Sequence, residues 1–449
     1  MNYRDCAEFC ISNIYLFDNT MYYIGLNAFQ RKRKWDFMDY VIYILCNCGK
    51  TTTLEIEDFV EAYFDDDEEK MITKQALSKQ RQYIDPRIYK DMNYAFIEMA
   101  CKSPEYHSYF NGRRVILIDG SKSELPNVKQ TREEFEVPKN TRKYTQPART
   151  MFSTCVDLET HFVLDSILAK AGASERDLLK KHIETLENYL DLSNTILIID
   201  RGYFSLELAL FLENKGIDYI FRLKSNTYID ERYFMKYDDE YLNIKLNTNR
   251  IQNIKDENIK KQAKELKTLR RRFVNHTLKT SKKKNTNETL LTNLPPEIAS
   301  YEDLKHLYND RWEIELNYEK IKNKLHIENY SGRTELTICQ DFYSQMYIFN
   351  IFLALKNEIE EQLEDENNIL RKNKNKEKRA NSNILMGRLK KKIIQLILSS
   401  KKSREMILDK MIKRSKKNIV YHHFDRESTN RNKTKFTGKN RSNIRSNGT

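Results

Sequence analysis

The sequence predicts an α/β protein, and three observations carry that prediction. Two short, β-branched apolar runs, Val115-Ile-Leu-Ile118 and Thr195-Ile-Leu-Ile-Ile199, read as strands buried on both faces. Segments of helical periodicity alternate with these and neighbouring strand candidates, as in a sheet flanked by helices. Further helical stretches frame this centre before residue 110 and after residue 300. At 449 residues the chain is long for one small module. Its 39% hydrophobic and 11% aromatic residues can fill a sizeable core, which excludes a wholly disordered or fibrous chain.

Residues 1–110 read as helices. Trp35 to Leu45 is rich in large apolar residues, and Ile72 to Arg81 and Ile88 to Met99 are amphipathic. Asp85-Pro86 separates the last two, because proline disfavours helix in the residue before it. Compact basic helices of this kind suit DNA binding and equally suit a packing domain. Met151 to Val156 and Phe162 to Leu168 are the next strand candidates, then a helix from Ser174 to Leu190, with Ser174 placed to cap it. After Thr195–Ile199 come a helix from Leu206 to Glu213 and a strand from Tyr219 to Leu223. Residues 226–295 leave the alternation and form a basic, mainly β insertion. It contains Arg270-Arg-Arg272, Lys282-Lys-Lys284 and strands near Phe273–Leu278 and Glu288–Leu291. One long helix is expected from Tyr301 to Leu325 and another from Glu335 to Leu363. Beyond Glu364 the composition shifts to Lys and Asn; one helix, Ile384 to Leu398, is expected there, and the last thirty or so residues read as disordered.

Charge narrows the partners. The formal net charge is +13, from 78 Lys and Arg against 65 Asp and Glu, which points to a polyanion such as nucleic acid. No run approaches the ~18–20 apolar residues of a membrane span. The N-terminus lacks a secretory pattern, so a cytoplasmic, nucleoid-associated protein is expected. Seven scattered cysteines do not form a disulfide framework, and Cys46-x-Cys48 has the wrong spacing for a zinc site.

Both buried runs lead into an aspartate, in Asp119-Gly120 and Asp200-Arg-Gly202. On neighbouring parallel strands the two carboxylates would emerge together at the carboxyl edge, where open α/β sheets bind ligands. Close carboxylates repel, and a hard divalent cation relieves the conflict. Asp-Gly is also an ordinary turn, so the long helix matters. At about 100° per residue, Tyr308, Arg311, Glu315 and Lys322 fall within about 60° of one another. Leu307, Ile314, Tyr318, Ile321 and Leu325 form an adjacent apolar stripe, and Glu313 points away.

These residues reach a family resemblance. Tyr308-(2)-Arg311-(3)-Glu315-(6)-Lys322, with Leu117-Ile-Asp119-Gly-Ser and Leu197-Ile-Ile-Asp200-Arg-Gly-Tyr203, resembles the DDE transposases of bacterial insertion sequences, specifically the insertion-sequence-four group. The resemblance spans roughly residues 110–335, with Thr292-Asn293-Leu294 at the exit of the insertion. It implies a ribonuclease H-like catalytic domain in two parts (111–225 and 296–365) around the insertion, an N-terminal DNA-binding domain (1–110) and a basic C-terminal region (366–449). It also implies that Asp119, Asp200 and Glu315 are catalytic and hold two Mg²⁺ ions about 4 Å apart, with Mn²⁺ able to substitute. Tyr308, Arg311 and Lys322 would contact the DNA, Arg311 as a fork and Lys322 as a point charge. The implied partners are double-stranded DNA, both terminal inverted repeats and target, and a second copy of the chain in a synaptic homodimer. The family cuts through a hairpin whose flipped base stacks on an aromatic, often a Trp of the insertion. Here Tyr228, Tyr233, Phe234 and Tyr237 stand in that region instead.

The function expected is therefore metal-dependent excision and insertion of a mobile element by DNA cleavage and strand transfer. Two alternatives are a catalytically silent DNA-binding regulator derived from a transposase and a ribonuclease H-like hydrolytic nuclease. A glycosidase, which also uses paired carboxylates, has no use for Arg311, Lys322 and the basic charge.

Overall fold

The structure is a computed structural model and describes residues 2–18, 20–47, 49–101, 110–138, 147–279, 285–323, 327–374 and 376–423. Lys282 to Lys284, Leu325, Cys48 and the chain after residue 423 lie outside the described residues. Eight strands form one mixed sheet, in keeping with the α/β class: β1 (Arg114–Glu124), β2 (Arg149–Asp157), β3 (Val163–Ala169), β4 (Thr195–Ile199), β5 (Asp218–Arg222), β6 (Asp239–Lys245), β7 (Thr268–Lys279) and β8 (Asn285–Thr292). Their spatial order is β3-β2-β1-β4-β5-β8-β7-β6. β1, β4 and β5 are parallel, while β2 and β3 continue one side, and β8, β7 and β6 the other, antiparallel.

The helices before the sheet are α1 (Tyr3–Ser12), α2 (Phe37–Cys46), α3 (Thr52–Tyr63), α4 (Lys74–Arg81) and α5 (Arg87–Cys101). Asp36 and Asp39 close a reciprocal capping box at the start of α2, every residue of which is buried. Next come α6 (Lys129–Glu134), α7 (Glu175–Leu186) and α8 (Leu206–Asn214), then α9 (Ile229–Tyr233), α10 (Thr248–Ile251) and α11 (Glu257–Leu266) within residues 226–295. That stretch thus holds three strands and three short helices, and it continues the central sheet because β8 pairs with β5. The short helices and β6 escape a reading based on apolar runs, since they are mostly polar.

After α12 (Tyr301–Asp310) and α13 (Trp312–Asn323) comes α14 (Glu335–Glu361), 27 residues long and buried on nearly every side from Ile338 to Ile359. A helix buried all round belongs in a core. Here α1, α2, α5, β3 and the later segments Lys376–Ala380, Ser382–Leu398 and Lys401–Lys416 pack against it. Asn350 on α14 donates to Val163 O (2.9 Å) and accepts from Val163 N (2.8 Å), so it satisfies the outer edge of β3.

Three expectations need correction. The helix expected from Tyr301 to Leu325 breaks at Arg311. There Arg311 N bonds Tyr308 O and Ile314 N bonds Arg311 O, three residues back rather than four. Asn309-Asp310, poor helix formers, precede the break. β1 does not stop at Asp119; antiparallel pairing of Gly120–Glu124 with Arg149–Ser153 carries it on to Glu124. Beyond Glu364 the chain is more ordered than a single helix: α15 (Glu364–Lys374), β9 (Lys376–Ala380), α16 (Ser382–Leu398), α17 (Lys401–Lys416) and β10 (Ile419–His423), with β10 antiparallel to β9. Long-range ion pairs, Arg404–Glu8 (2.7 Å) and Arg4–Asp409 (2.9 Å), bind α17 to α1, and no local pattern announces them. Among the described residues no helix is long and apolar enough to cross a membrane.

Candidate active site

The site is built where the parallel strands stop. β1 and β4 pair with Ile118 opposite Ile199, so the next residue on each strand is an aspartate, Asp119 and Asp200. The apolar runs before them are buried and fix the register. The two carboxylates therefore emerge side by side at the carboxyl edge of the sheet, although β1 itself continues past Asp119.

α13 lies against β1 through the apolar stripe. Ile314, Tyr318 and Ile321 are buried, and the Tyr318 ring meets Phe152 edge-on at 5.2 Å. The Tyr318 hydroxyl donates to the main-chain oxygen of Asp119 and accepts from Thr154 N (3.3 Å) and Thr154 Oγ1 (3.0 Å). One side chain thus ties α13, β1 and β2 together beside the carboxylate. Lys322 bonds Ser121 Oγ and Lys122 O, both at 2.7 Å. Tyr308, on α12, donates to Asp200 Oδ1 at 3.2 Å. Arg311, at the break, bonds Glu315 Oε1 at 3.0 Å, and its buried Nε has no partner. Tyr308, Arg311, Glu315 and Lys322 therefore share one side of the broken helix, as their spacing predicts. Glu313 instead lines a separate cavity of about 680 Å³ with His161, Lys320 and Lys356.

Charge in the site is poorly matched. Burial pushes the Asp119 carboxyl up to about 6; the Gly120 N–H and Arg311 oppose this, while Asp200 and Glu175 add repulsion. Asp200 has Arg222 Nη1 at 3.7 Å, but the same guanidinium is engaged at 2.5 Å by Glu288. Burial also raises Tyr308 above the ordinary tyrosine range, with Asp200 adding to the effect, so it remains a donor. Among the described residues no three His, Cys, Asp or Glu side chains lie together closely enough to hold a metal ion. Glu315 faces Arg311 in this arrangement.

The sequence alone does not single out Arg222, Glu288, Glu175 or the role of Tyr318, and it shows Tyr203 only as part of the Asp200-Arg-Gly-Tyr203 motif. Tyr318 was legible as apolar stripe, and only its hydroxyl contacts are new. Arg222 ends β5, the strand next to β4, a position one strand further along the same edge. Nothing local marks Glu175, which looks like an ordinary acid in the first turn of a helix. Of the four insertion aromatics, Tyr228 is packed against Phe204, Phe273 and Arg250. Tyr233, Phe234 and Tyr237 are each more than 70% exposed.

The family model for a transposase DDE domain matches residues 110–351. No curated protein matches the chain. Among solved structures, the cryo-EM structure of a piggyBac transposase synaptic complex with hairpin DNA is similar at 11% identity and a TM-score of 0.42, covering 90% of this chain and 80% of that one.

Proposed function

The chain belongs to the transposase DDE-domain family, and we propose that it excises and inserts a mobile DNA element by metal-dependent cleavage and strand transfer. The observation that carries this reading is the pairing of Ile118 with Ile199, which sets Asp119 beside Asp200 at the edge of the sheet under Tyr308 and Arg311. The order β3-β2-β1-β4-β5, with β1 antiparallel to β2 and parallel to β4, supports a ribonuclease H-like catalytic core. Tyr308 of α12, Arg311 at the break, and Glu315 and Lys322 of α13 support the insertion-sequence-four group.

Asp119, Asp200 and Glu315 would hold Mg²⁺. The donor chemistry fits: hard oxygens only, with Asp119 raised by burial and by the neighbouring charge of Asp200, which a cation would relieve. When bound, two such ions activate the attacking oxygen and stabilise the leaving one. Glu315 now pairs with Arg311; with Glu315 as a ligand, Arg311 would be left to grip a phosphate as a fork. Tyr308 offers its hydroxyl to phosphate or keeps Asp200 oriented, and Lys322 fixes the far end of α13 on β1.

The partners in this reading are the two ends of the element, held by two copies of the chain, and target DNA. Incubating the protein with its own element ends and Mg²⁺, then mapping the products, tests it. Cleavage at the ends followed by joining of the 3′-hydroxyl to target DNA is expected. Hydrolysis with no joined product would indicate a nuclease, and binding with no cleavage a regulator.

A further inference from the structure

The side of α13 remote from Glu315 borders a cavity that the proposed reaction does not use. Glu313 and Lys320 stand seven residues apart, so they share one side of the helix, turned about 140–160° from Glu315. Both line the cavity of about 680 Å³, whose other walls are the turn between β2 and β3, α14, α15 and β9. That volume lies in the range of small-molecule sites, roughly 300–1,000 Å³.

Two groups in the wall lack the partner that burial demands. Among the described residues Lys320 forms no ion pair, and its Nζ donates to Asn317 Oδ1 at 3.2 Å. The buried Nδ1 of His161 has no hydrogen-bond partner. His161 sits on an anchored turn: Asp157 Oδ1 accepts from Thr160 N (2.8 Å) and Oγ1 (2.9 Å), and Asn357 of α14 donates to Thr160 O (2.7 Å). Buried polar groups are normally paired, so two unpaired ones on a single cavity point to a ligand.

The sign of the charge decides which ligand. The cavity has acids in its wall, but Glu360 already accepts from Lys356, and Glu364 and Glu377 accept from Arg371 at 2.6 and 3.0 Å. Burial and Asp157 raise the Glu159 carboxyl, which weakens it as an anion. Burial and Lys356 bring the Lys320 ammonium down to about 8, against the pull of Glu313 and Glu360. Burial lowers His161 too, and Lys356, Lys320 and Arg379 all press in the same direction. Cations therefore outweigh acids at both groups, and a negative group between them would relieve the field. With Lys320, Lys356 and Arg379 all acting there, a dianion gains more than a singly charged carboxylate.

We propose that this cavity binds the phosphate group of a small molecule, with Lys320 as its ion-pair partner and His161 Nδ1–H as a hydrogen-bond donor. The site is separate from Asp119 and Asp200 and stands or falls independently of their role.

The test is titration calorimetry of the full chain, without Mg²⁺ or DNA, with inorganic phosphate and with a nucleoside monophosphate. Phosphate should bind wild type, and Lys320→Gln and His161→Ala should each weaken it, the first by about tenfold or more. Tighter binding of the nucleotide would assign a ligand of that size, and equal binding would assign phosphate itself. Absence of binding to wild type, or binding that either substitution leaves unchanged, overturns the proposal. Should thermal melts show that a variant does not fold, the wild-type chain decides. Phosphate should then protect Lys320 from acylation by acetic anhydride, read by mass spectrometry, and leave labelling of the exposed Lys391 unchanged. Equal labelling of Lys320 with and without phosphate overturns the site.

Discussion

Asp119 on β1 and Asp165 on β3 are carboxylates of one sheet, both sheltered from water, and their surroundings treat them in opposite ways. Asp165 is fully buried, but the Tyr94 hydroxyl reaches Oδ1 at 2.7 Å, His182 Nδ1 reaches Oδ2 at 2.7 Å, and Lys90 stands 3.5 Å away. Burial pushes its carboxyl up, yet Lys90, His182 and Tyr94 outweigh that and hold it down at about 2. Asp119 meets two other carboxylates, and burial leaves it raised to about 6. The first arrangement is a closed structural network, sealed although it places His182 within 2.9 Å of Ser153 Oγ. The second lies at the sheet edge, where Arg311 and the Gly120 N–H do not offset the burial and the like charges. Within one fold, a satisfied acid marks structure and an unsatisfied one marks the place where a ligand completes the charge.

The largest effect that could break this contrast is catalytic. Asp119→Ala and Asp200→Ala should each lower cleavage of an element end by orders of magnitude and leave end binding nearly intact. Gel-shift and cleavage assays on the same substrate check this. Either variant retaining substantial cleavage would remove the site from the sheet edge.

Stability should respond with opposite signs. Asp165→Asn strips a buried network of its anion and should cost about 3–5 kcal/mol. Asp119→Asn removes a poorly matched buried charge and should stabilise the metal-free protein by ~0.5–2 kcal/mol. Denaturant melts at neutral pH separate the two. Because the folded Asp165 carboxyl lies below the ordinary aspartate value of 3.8, its contribution is complete above about pH 4 and is lost as pH falls toward about 2. The stability difference between wild type and Asp165→Asn should therefore close over that window. A difference that is constant from pH 6 to 2 would contradict the network.

Smaller effects lie on the surface. If the exposed aromatics of the insertion stack an unpaired base, Tyr233→Ala, Phe234→Ala and Tyr237→Ala should weaken binding of a hairpin end by about 1–3 kcal/mol at the residue that stacks. Tyr228→Ala should act on folding instead, since that ring is packed. DNA binding should weaken as salt rises, and deletion of residues 424–449, which carry seven Lys and Arg against two acids, should flatten the slope. An unchanged slope would show that this segment contacts no phosphate. A longer deletion, from Ser403 onward, would also remove most of α17 and its ion pairs to α1.

Much of the α/β centre was legible because buried strands have to be apolar. Thr195–Ile199 is a strand with the bounds its sequence suggests, and the spacing of Tyr308, Arg311, Glu315 and Lys322 put them on one side even across the break at Arg311. What escaped the sequence depends on contacts between distant residues. The extension of β1 past Asp119 comes from β2, the order of α17 comes from α1, and the start of α7 is fastened by Arg176 to Tyr203 O and Phe204 O. Local periodicity reports burial; it does not report which charged groups meet.

The central claim is that Asp119, Asp200 and Glu315 do the chemistry, and three glutamates on one short helix test it most directly. Glu315 shares the side of Arg311, Glu313 lines the cavity beyond, and Glu319 lies one turn further along. The measurement is Mn²⁺-dependent cleavage of a pre-nicked element end by Glu313→Gln, Glu315→Gln and Glu319→Gln. Glu315→Gln should lose cleavage by orders of magnitude, whereas Glu313→Gln should stay near wild type, as surface changes of about 0.5 kcal/mol or less allow. Active Glu315→Gln beside inactive Glu319→Gln would contradict the assignment.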